Sequence, residues 1–373
     1  VTDASIPRSR ATSRSDHPNR HIDKTLLIVT AMLSVLSLVM IESSGKDITF
    51  VTKQAIAMVL GMGVMAVLMS VDYRMILDNA PAIYVGTLVM LALVLVPGIG
   101  QENKGAQAWF EFGALQMQPA EFAKLGIIVA LAAYGAAQRN LLDGRRFITK
   151  LVITAIPVGL IFLQPDLGSA LVFLAIVMAM LWLSGARGVH MGVLVLLGVV
   201  TVTIAVRLGV LADYQFARLL AFIDPSRDAR GAAFNLAQSK IAIGSGGVFG
   251  KGLFQGTQTR YGFVPEQHSD FIFTAIGEQL GLVGGLAVIL LYAVACWRIW
   301  RVASVARDSG GMLLCVGVLA MFVFHIFQNI GMTMGMMPIT GIPLPLLSYG
   351  GSSMIASYAA VGLVVSVGMR RYR

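Results

Sequence analysis

The chain has 373 residues, of which 57% are hydrophobic and only 13% are charged. Soluble domains carry about 25% charged residues, so a soluble globular fold is excluded and an integral membrane protein is expected. The net charge of +9 does not mark a nucleic-acid binder, because no basic face with interleaved aromatics occurs; basic loops on one membrane surface account for it. Cys296 and Cys315 fall in or at the ends of apolar runs and read as small buried hydrophobes, not as a disulfide or metal pair.

Residues 1–24 form a polar, basic arm with Arg8, Arg10, Arg14, Arg20 and Lys24, expected to be disordered and cytoplasmic. The first apolar run after it is long enough to span, and so reads as a span and not as a cleavable signal. About ten apolar runs near the ~20 residues needed to cross a bilayer follow, at 25–42, 54–71, 80–98, 119–136, 149–163, 167–184, 188–210, 271–297, 311–330 and 350–369. The fifth and sixth are parted only by Gln164-Pro165-Asp166-Leu167-Gly168. Loop charge separates them. With both counted and the N-terminus inside, the inner loops carry Arg74, then Arg139, Arg145, Arg146 and Lys150, then Arg187. Arg298, Arg301 and Arg307, and finally Arg370, Arg371 and Arg373, complete that basic side. The expected fold is an all-α integral membrane protein of about ten transmembrane helices, with both termini cytoplasmic. Residues 25–373 form one membrane domain, and 211–270 make one long outer loop between the seventh and eighth spans.

Gln118-Pro119-Ala120-Glu121-Phe122-Ala123-Lys124 opens the fourth run, with Pro119 suited to a first helical turn. Glu121 and Lys124 lie three apart and share a helix face. They read either as a pair that neutralises itself or as walls of a polar cavity in which Lys124 meets an anionic substrate. Asp166, on the same side, reads either as a third member of that network or as the N-cap of the sixth run. In the long outer loop Arg218 begins an apolar and basic passage ending at Asp224-Pro225, and Gly244–Gly252 surrounds Lys251 with glycine. Such a turn can cradle phosphate through backbone N–H groups, or it can simply shape the loop. It is not a P-loop: Ser245 stands where the first glycine belongs, and Gly252 where Ser or Thr is required.

Tyr261–Gly281 is a polar turn, with Pro265, Glu266, His268 and Asp270, that runs straight into the eighth span. Carboxylates are costly beside hydrocarbon. Asp270, Thr274 and Glu278 follow at fours on one helix face, which sets Glu278 about 12 Å further along the axis. Asp270 reads either as a cap at a helix start or as a catalytic group. Glu278 reads as a structural partner for a cation or for the backbone of Pro338–Ser353. That last stretch is too broken by proline and glycine for a helix and is expected as an irregular segment beside the site. Gln328 and Asn329 precede it and are expected to satisfy its backbone, whereas His325 is expected to pack in a helix. No His/Cys/Asp cluster has the spacing of a structural zinc site.

In these stretches the chain resembles the SEDS family of bacterial membrane proteins (shape, elongation, division and sporulation), over essentially everything after the basic arm. Gly105-Ala-Gln-Ala-Trp109, Gln118–Lys124, Gln164–Gly168, Gly244–Gly252, Pro265-Glu-Gln-His-Ser-Asp-Phe-Ile-Phe273 and Pro338–Ser353 carry the resemblance. Ile339-Thr340-Gly341-Ile342-Pro343 looks like the rod-shape branch, since division-branch members more often carry a basic residue near Thr340. Two positions depart from the pattern. Gln107-Ala108 stands where the family usually has an arginine before the tryptophan, and Ser269 where it usually has threonine.

The resemblance implies a peptidoglycan glycosyltransferase acting in cell elongation and rod-shape maintenance. Its substrate would be lipid II, a disaccharide-pentapeptide on undecaprenyl diphosphate, polymerised at the outer face of the bacterial cytoplasmic membrane. It also implies a class B penicillin-binding protein that crosslinks the product, and other membrane proteins of the elongation complex. The family's essential aspartate maps onto Asp270, expected as general base, and its helix-four acid and lysine onto Glu121 and Lys124. Trp109, Asp166, Arg218 and Lys251 stand with them as substrate contacts, and Thr274, Glu278 and Ser348 as supporting residues. The resemblance names no definite cofactor, and a divalent cation (Mg or Mn) is an option for steadying the diphosphate. The rival readings are a lipid II flippase and a non-catalytic scaffold for the transpeptidase. Intramembrane charges and broken helices suit transport too, but the polar residues concentrate toward the outer half. A scaffold leaves Glu121, Lys124 and Glu278 unexplained.

Overall fold

Helix boundaries follow the punctuation of the sequence. In the computed structural model, which describes residues 22–44, 47–103, 106–112, 115–138, 144–207, 215, 218, 222 and 231–371, each apolar run becomes a helix. The basic arm up to residue 21, Lys104, Arg139, Asp224-Pro225 and Arg373 lie outside the described residues. In chain order the helices are α1 (Lys24–Ser44), α2 (Ile48–Ser70), α3 (Tyr73–Asp78), α4 (Ala80–Leu93), α5 (Pro119–Ala136), α6 (Gly144–Leu163) and α7 (Leu167–Leu183). Then come α8 (Gly188–Arg207), α9 (Ala232–Ser245), α10 (Thr257–Tyr261), α11 (Ile272–Ser304), α12 (Ser309–Met334) and α13 (Gly351–Met369). Seven of them, α1, α2, α5, α6, α11, α12 and α13, are long and apolar enough to cross a membrane. α4, α7 and the Gly188–Gly198 part of α8 are shorter apolar pieces. Asp47, Asp166 and Asp308 cap α2, α7 and α12 through their carboxylates, and Pro119 starts α5.

α13 is the centre of the bundle. Of its apolar window 94% is buried, and α2, α5, α11 and α12 pack round it. Close approach is made by small residues: a Cβ at Gly61 of α2 would lie 2.6 Å from the Tyr358 ring of α13. This is how helices associate where lipid supplies no hydrophobic drive. The outer faces stay apolar and exposed, as at Val59, Leu196 and Leu290.

Two features depart from the all-helical expectation. First, residues between α4 and α5 form a small antiparallel sheet, β1 (Gln101–Asn103), β2 (Ala106–Phe112) and β3 (Leu115–Met117), in the order β1-β2-β3. Gln101 pairs with Trp109 and Phe110 with Met117. Second, α11 is not one continuous rod. Gly281 interrupts it at φ 65, ψ −161, a region open essentially to glycine alone. The eighth run of the sequence is therefore a short helix, 272–280, joined at a kink to a longer one.

The segment 338–350, between α12 and α13, is irregular as expected. Its backbone is satisfied by side chains from the surrounding helices. Gln328 donates to Pro338 O at 2.8 Å, Asn329 to Ile342 O at 2.8 Å, Tyr292 to Pro345 O at 2.6 Å and Gln54 to Ser348 O at 3.0 Å. Ser348 Oγ accepts from Leu344 N at 2.9 Å and closes the turn. Non-helical backbone at membrane depth persists only under such cover.

Candidate active site

The Pro338–Gly350 segment brings together groups that are distant in sequence. Gly341, Ile342 and Pro343 form one wall of a cavity of about 30 Å³, and Gln118, Glu121, Lys124, Asp166 and Ser169 line the rest. It has room for about one or two water molecules. Lys124 Nζ donates to Glu121 Oε1 at 2.7 Å, and only 1% and 6% of these side chains are exposed. The same ammonium lies 3.1 Å from His325 Nε2, while His325 Nδ1 lies 2.9 Å from Pro343 O. A carbonyl can only accept, so Nδ1 carries the proton and Nε2 offers its lone pair to Lys124. The imidazole is thus a neutral strut between α5 and the irregular segment. Asp166 takes both roles open to it: it accepts from Ser169 N at 2.9 Å as the N-cap of α7, and from Gln118 Nε2 at 3.1 Å in the cavity wall.

Asp270 adjoins this cavity across Gly341. A Cβ at Gly341 would lie 3.1 Å from Asp270 Oδ2 and 3.2 Å from an Arg218 guanidinium nitrogen. Only a bare backbone at φ 73 lets carboxylate and guanidinium converge there. Arg218 also donates to Thr340 O at 3.3 Å. The Asp270 turn is held at both ends. Its N–H reaches Glu266 O at 3.1 Å, and its carbonyl accepts from Asn329 Nδ2 at 2.9 Å. His268, two residues earlier, stacks on Phe50 at 4.4 Å and meets Tyr349 at 5.3 Å.

Glu278 and Lys251 form a separate node. Glu278 is fully buried and accepts from Lys251 Nζ at 3.0 Å, Gln258 N at 2.8 Å, Thr259 N at 3.0 Å and Thr259 Oγ1 at 2.7 Å. It caps α10 and holds a cation, so its backbone partners lie in the outer loop and not in Pro338–Ser353. Gly244–Gly252 packs on the α11 kink: Lys251 N donates to Glu278 O and Gly252 N to Gln279 O, each at 3.0 Å. A Cβ at Gly246 or Gly250 would lie 2.0 or 2.1 Å from carbonyls of α11. The glycines are thus accounted for by close packing. Thr274 meets Ser239 Oγ at 2.7 Å, which in turn donates to Thr333 O at 2.7 Å. Trp109 is half-buried on β2, outside the lining of the Glu121–Lys124 cavity. Among the described residues no group of three or more His, Cys, Asp or Glu comes together to hold a metal ion.

Sequence reasoning missed His325 as a member of the site. The signal was present: His325, Gln328 and Asn329 stand at i, i+3 and i+4 in an apolar helix, and so form one polar stripe.

The chain has counterparts among known proteins. Peptidoglycan glycosyltransferase MrdB of Escherichia coli K12 is 35% identical over 367 residues, covering 96% of this chain and 98% of that protein. Stage V sporulation protein E of Bacillus subtilis is 36% identical over 356 residues, 92% of this chain and 96% of its own. Among solved structures, a chain from a peptidoglycan synthase complex that coordinates polymerisation and crosslinking matches with TM-score 0.81 at 35% identity, covering 94% of this chain and 99% of that one. Rod shape determining protein RodA of Thermus thermophilus matches with TM-score 0.73 at 31% identity, over 94% and 98%. The family model for cell cycle proteins of the FtsW/RodA/SpoVE type matches residues 21–373. With a family model matched over residues 21–373 and relatives 35% and 36% identical over more than nine-tenths of its length, the chain belongs to the FtsW/RodA/SpoVE family, the SEDS proteins.

Proposed function

We propose that this protein is a peptidoglycan glycosyltransferase of the bacterial inner membrane that polymerises lipid II, with Asp270 as general base. The observation that carries this reading is the meeting of Asp270 and Arg218 at Gly341, against the Glu121–Lys124–Asp166 cavity. A carboxylate beside a guanidinium suits an inverting glycosyl transfer from a diphosphate-activated donor to an acceptor hydroxyl. Asp270 takes the proton of the acceptor sugar's 4-hydroxyl as that oxygen bonds to the donor's anomeric carbon. The bond from that carbon to the diphosphate breaks, and the lipid diphosphate leaves with the electron pair. Arg218 steadies its charge. Buried Lys124, held by Glu121, fixes the irregular segment through His325, whose Nδ1 meets Pro343 O. Lys251, bonded to Glu278, is assigned to shaping the loop.

A divalent cation at this site would have Asp270 as its carboxylate ligand and Arg218 as a repelling neighbour. That donor set does not suit a resident metal. The names of the relatives support the activity, and the synthase complex supports a crosslinking partner, of which a class B penicillin-binding protein is our assignment. The termini are assigned to the cytoplasm and Asp270 to the outer face, from the basic inner loops.

Lipid II polymerisation by the purified protein tests the assignment. Asp270→Asn, nearly isosteric but unable to accept the proton, is expected to lower glycan formation by about 10²–10⁴-fold, the range of general-base catalysis. Glycan of normal length at a normal rate from Asp270→Asn would remove Asp270 from the chemistry.

A further inference from the structure

Asn329 lies on the polar stripe of α12 and is fully buried. Its Nδ2 carries two hydrogens, and both are used: one goes to Asp270 O at 2.9 Å, the other to Ile342 O at 2.8 Å. Two carbonyls at one end of an amide identify that end as the NH2, since the reverse would set oxygen against oxygen. The two acceptors come from opposite sides of the site. Asp270 O belongs to the proposed base. Ile342 O belongs to the cavity wall, one residue past the Gly341 at which Asp270 Oδ2 and Arg218 converge. A single buried nitrogen therefore sets the spacing between base and wall.

The same bond helps aim the carboxylate. The Asp270 N–H reaches Glu266 O at 3.1 Å. With the carbonyl held by Asn329, both peptide planes beside the Asp270 Cα are fixed, and so is the direction of its side chain. The turn itself is under strain. Ser269, Asp270 and Phe271 all aim their N–H groups at Glu266 O, at 3.2, 3.1 and 3.4 Å, and Glu266 adopts φ 53, uncommon for a residue with a side chain. Such a conformation persists where the surroundings over-determine it, and Asn329 supplies part of that constraint from inside the bundle. The amide does so at its own expense: Oδ1 is buried and accepts from none of the described residues, whereas buried polar groups are normally satisfied. Gln328, its neighbour, donates to Pro338 O at 2.8 Å and so braces the irregular segment alone.

We propose that Asn329 is a positioning residue, which holds Asp270 in register with Gly341 and Arg218 and acts on the chemistry through Asp270. The inference rests on the reading of Asp270 as general base. Lipid II polymerisation and thermal unfolding of purified variants test it. Asn329→Leu removes both bonds at similar volume, and Asn329→Gln keeps the NH2 but carries it one methylene further. A misplacement of about 1 Å can cost about 10²-fold, so each is expected to lower kcat by about that factor. KM is expected to stay within about threefold, because binding is not what the clasp serves. In an Asp270→Asn background either substitution is expected to lower the residual rate by less than about threefold, since residues that act as a unit are not additive. A merely structural role would exact its full loss a second time. Gln328→Leu, which removes a bond of the same kind from the same segment, is expected to lower the melting temperature while kcat stays within about threefold. If Asn329→Leu does not fold, Asn329→Gln carries the same comparison. A normal kcat in Asn329→Gln, or a loss repeated in full in the Asp270→Asn background, overturns the role. Asp270→Asn alone reads the general-base assignment, so the two failures are told apart.

Discussion

Lys124 is an ammonium sealed from solvent between one carboxylate and one imidazole. Removing one partner of a buried pair leaves an uncompensated charge and costs about 3–5 kcal/mol, whereas replacing both is often nearly neutral. Lys124→Met is therefore expected to destabilise the protein by that amount, and Glu121→Gln with Lys124→Met to recover most of it. Glycan synthesis is expected to stay lost in both, because the double variant restores charge balance and not the Lys124–His325–Pro343 link. Unfolding temperatures and polymerisation measured side by side check this; activity in the double variant would reduce the pair to a structural one. The pair itself was legible in the sequence, since i, i+3 spacing puts both residues on one face. Its third member was not. His325 comes from a helix 201 residues after Lys124, and no local pattern says which helix faces it.

Among the elements, α11 is where sequence and structure differ most usefully. Apolar composition runs without pause from Ile272 past Gly281, so the eighth run reads as one rod with Asp270, Thr274 and Glu278 along a face. One glycine breaks it, and composition does not reveal a backbone angle. The short 272–280 helix instead packs against α9 and the Gly244–Gly252 turn, which turns Glu278 toward α10. Gly281→Ala would set a Cβ 2.3 Å from Gly250 N in a conformation that costs a residue with a side chain about 1–3 kcal/mol. The expected outcome is a lower melting temperature and loss of polymerisation with Asp270 unaltered in sequence; full activity in Gly281→Ala would show the kink to be dispensable. α3 makes a second joint, at the opposite end. Buried Tyr73 donates to Asp308 Oδ2 at 2.5 Å, and Arg74 lies 3.3 Å from the same oxygen. Burial, then the bond to Asp308, pushes the phenol up from 10.0 to about 12, while the Tyr73, Gly311 and Arg74 contacts outweigh desolvation and hold the Asp308 carboxyl below its usual 3.8. A raised folded pKa contributes stability that is complete below the unfolded value and lost as pH rises through the folded one. The stability advantage of wild type over Tyr73→Phe should therefore shrink between pH 10 and 12, as read by unfolding temperature. A difference that stays constant across that window would contradict the joint.

For the whole molecule, ion pairs sort the loops by side without reference to charge counting. Asp23 before α1 pairs with Arg298 near the end of α11 at 2.7 Å, Arg74 with Asp308 at 3.3 Å, and Arg370 with Asp72 at 3.5 Å. The start of α1, the α2–α3 and α11–α12 connections and the end of α13 therefore share one end of the bundle. That is the end the basic loops assign to the inner side. From Gly281 to Arg301 is twenty residues, about 30 Å of helix, which is the thickness of a bilayer's hydrocarbon core. Along it Leu282, Leu286 and Leu290 are exposed on one face. Trp297 closes the stripe under Arg298 and Arg301, whose guanidinium carbons lie 5.5 and 5.8 Å from its ring, as expected of an interfacial belt. Phe249, 82% exposed, sits at the other end of the same helix, beside the kink. In a background with Cys296 and Cys315 replaced by alanine, Phe249→Cys should react with a membrane-impermeant maleimide on intact spheroplasts. Arg301→Cys should react only after the membrane is opened. The reverse pattern would put Asp270 on the cytoplasmic side, where a polymer destined for the wall has no exit, and would overturn the glycosyltransferase reading together with the orientation.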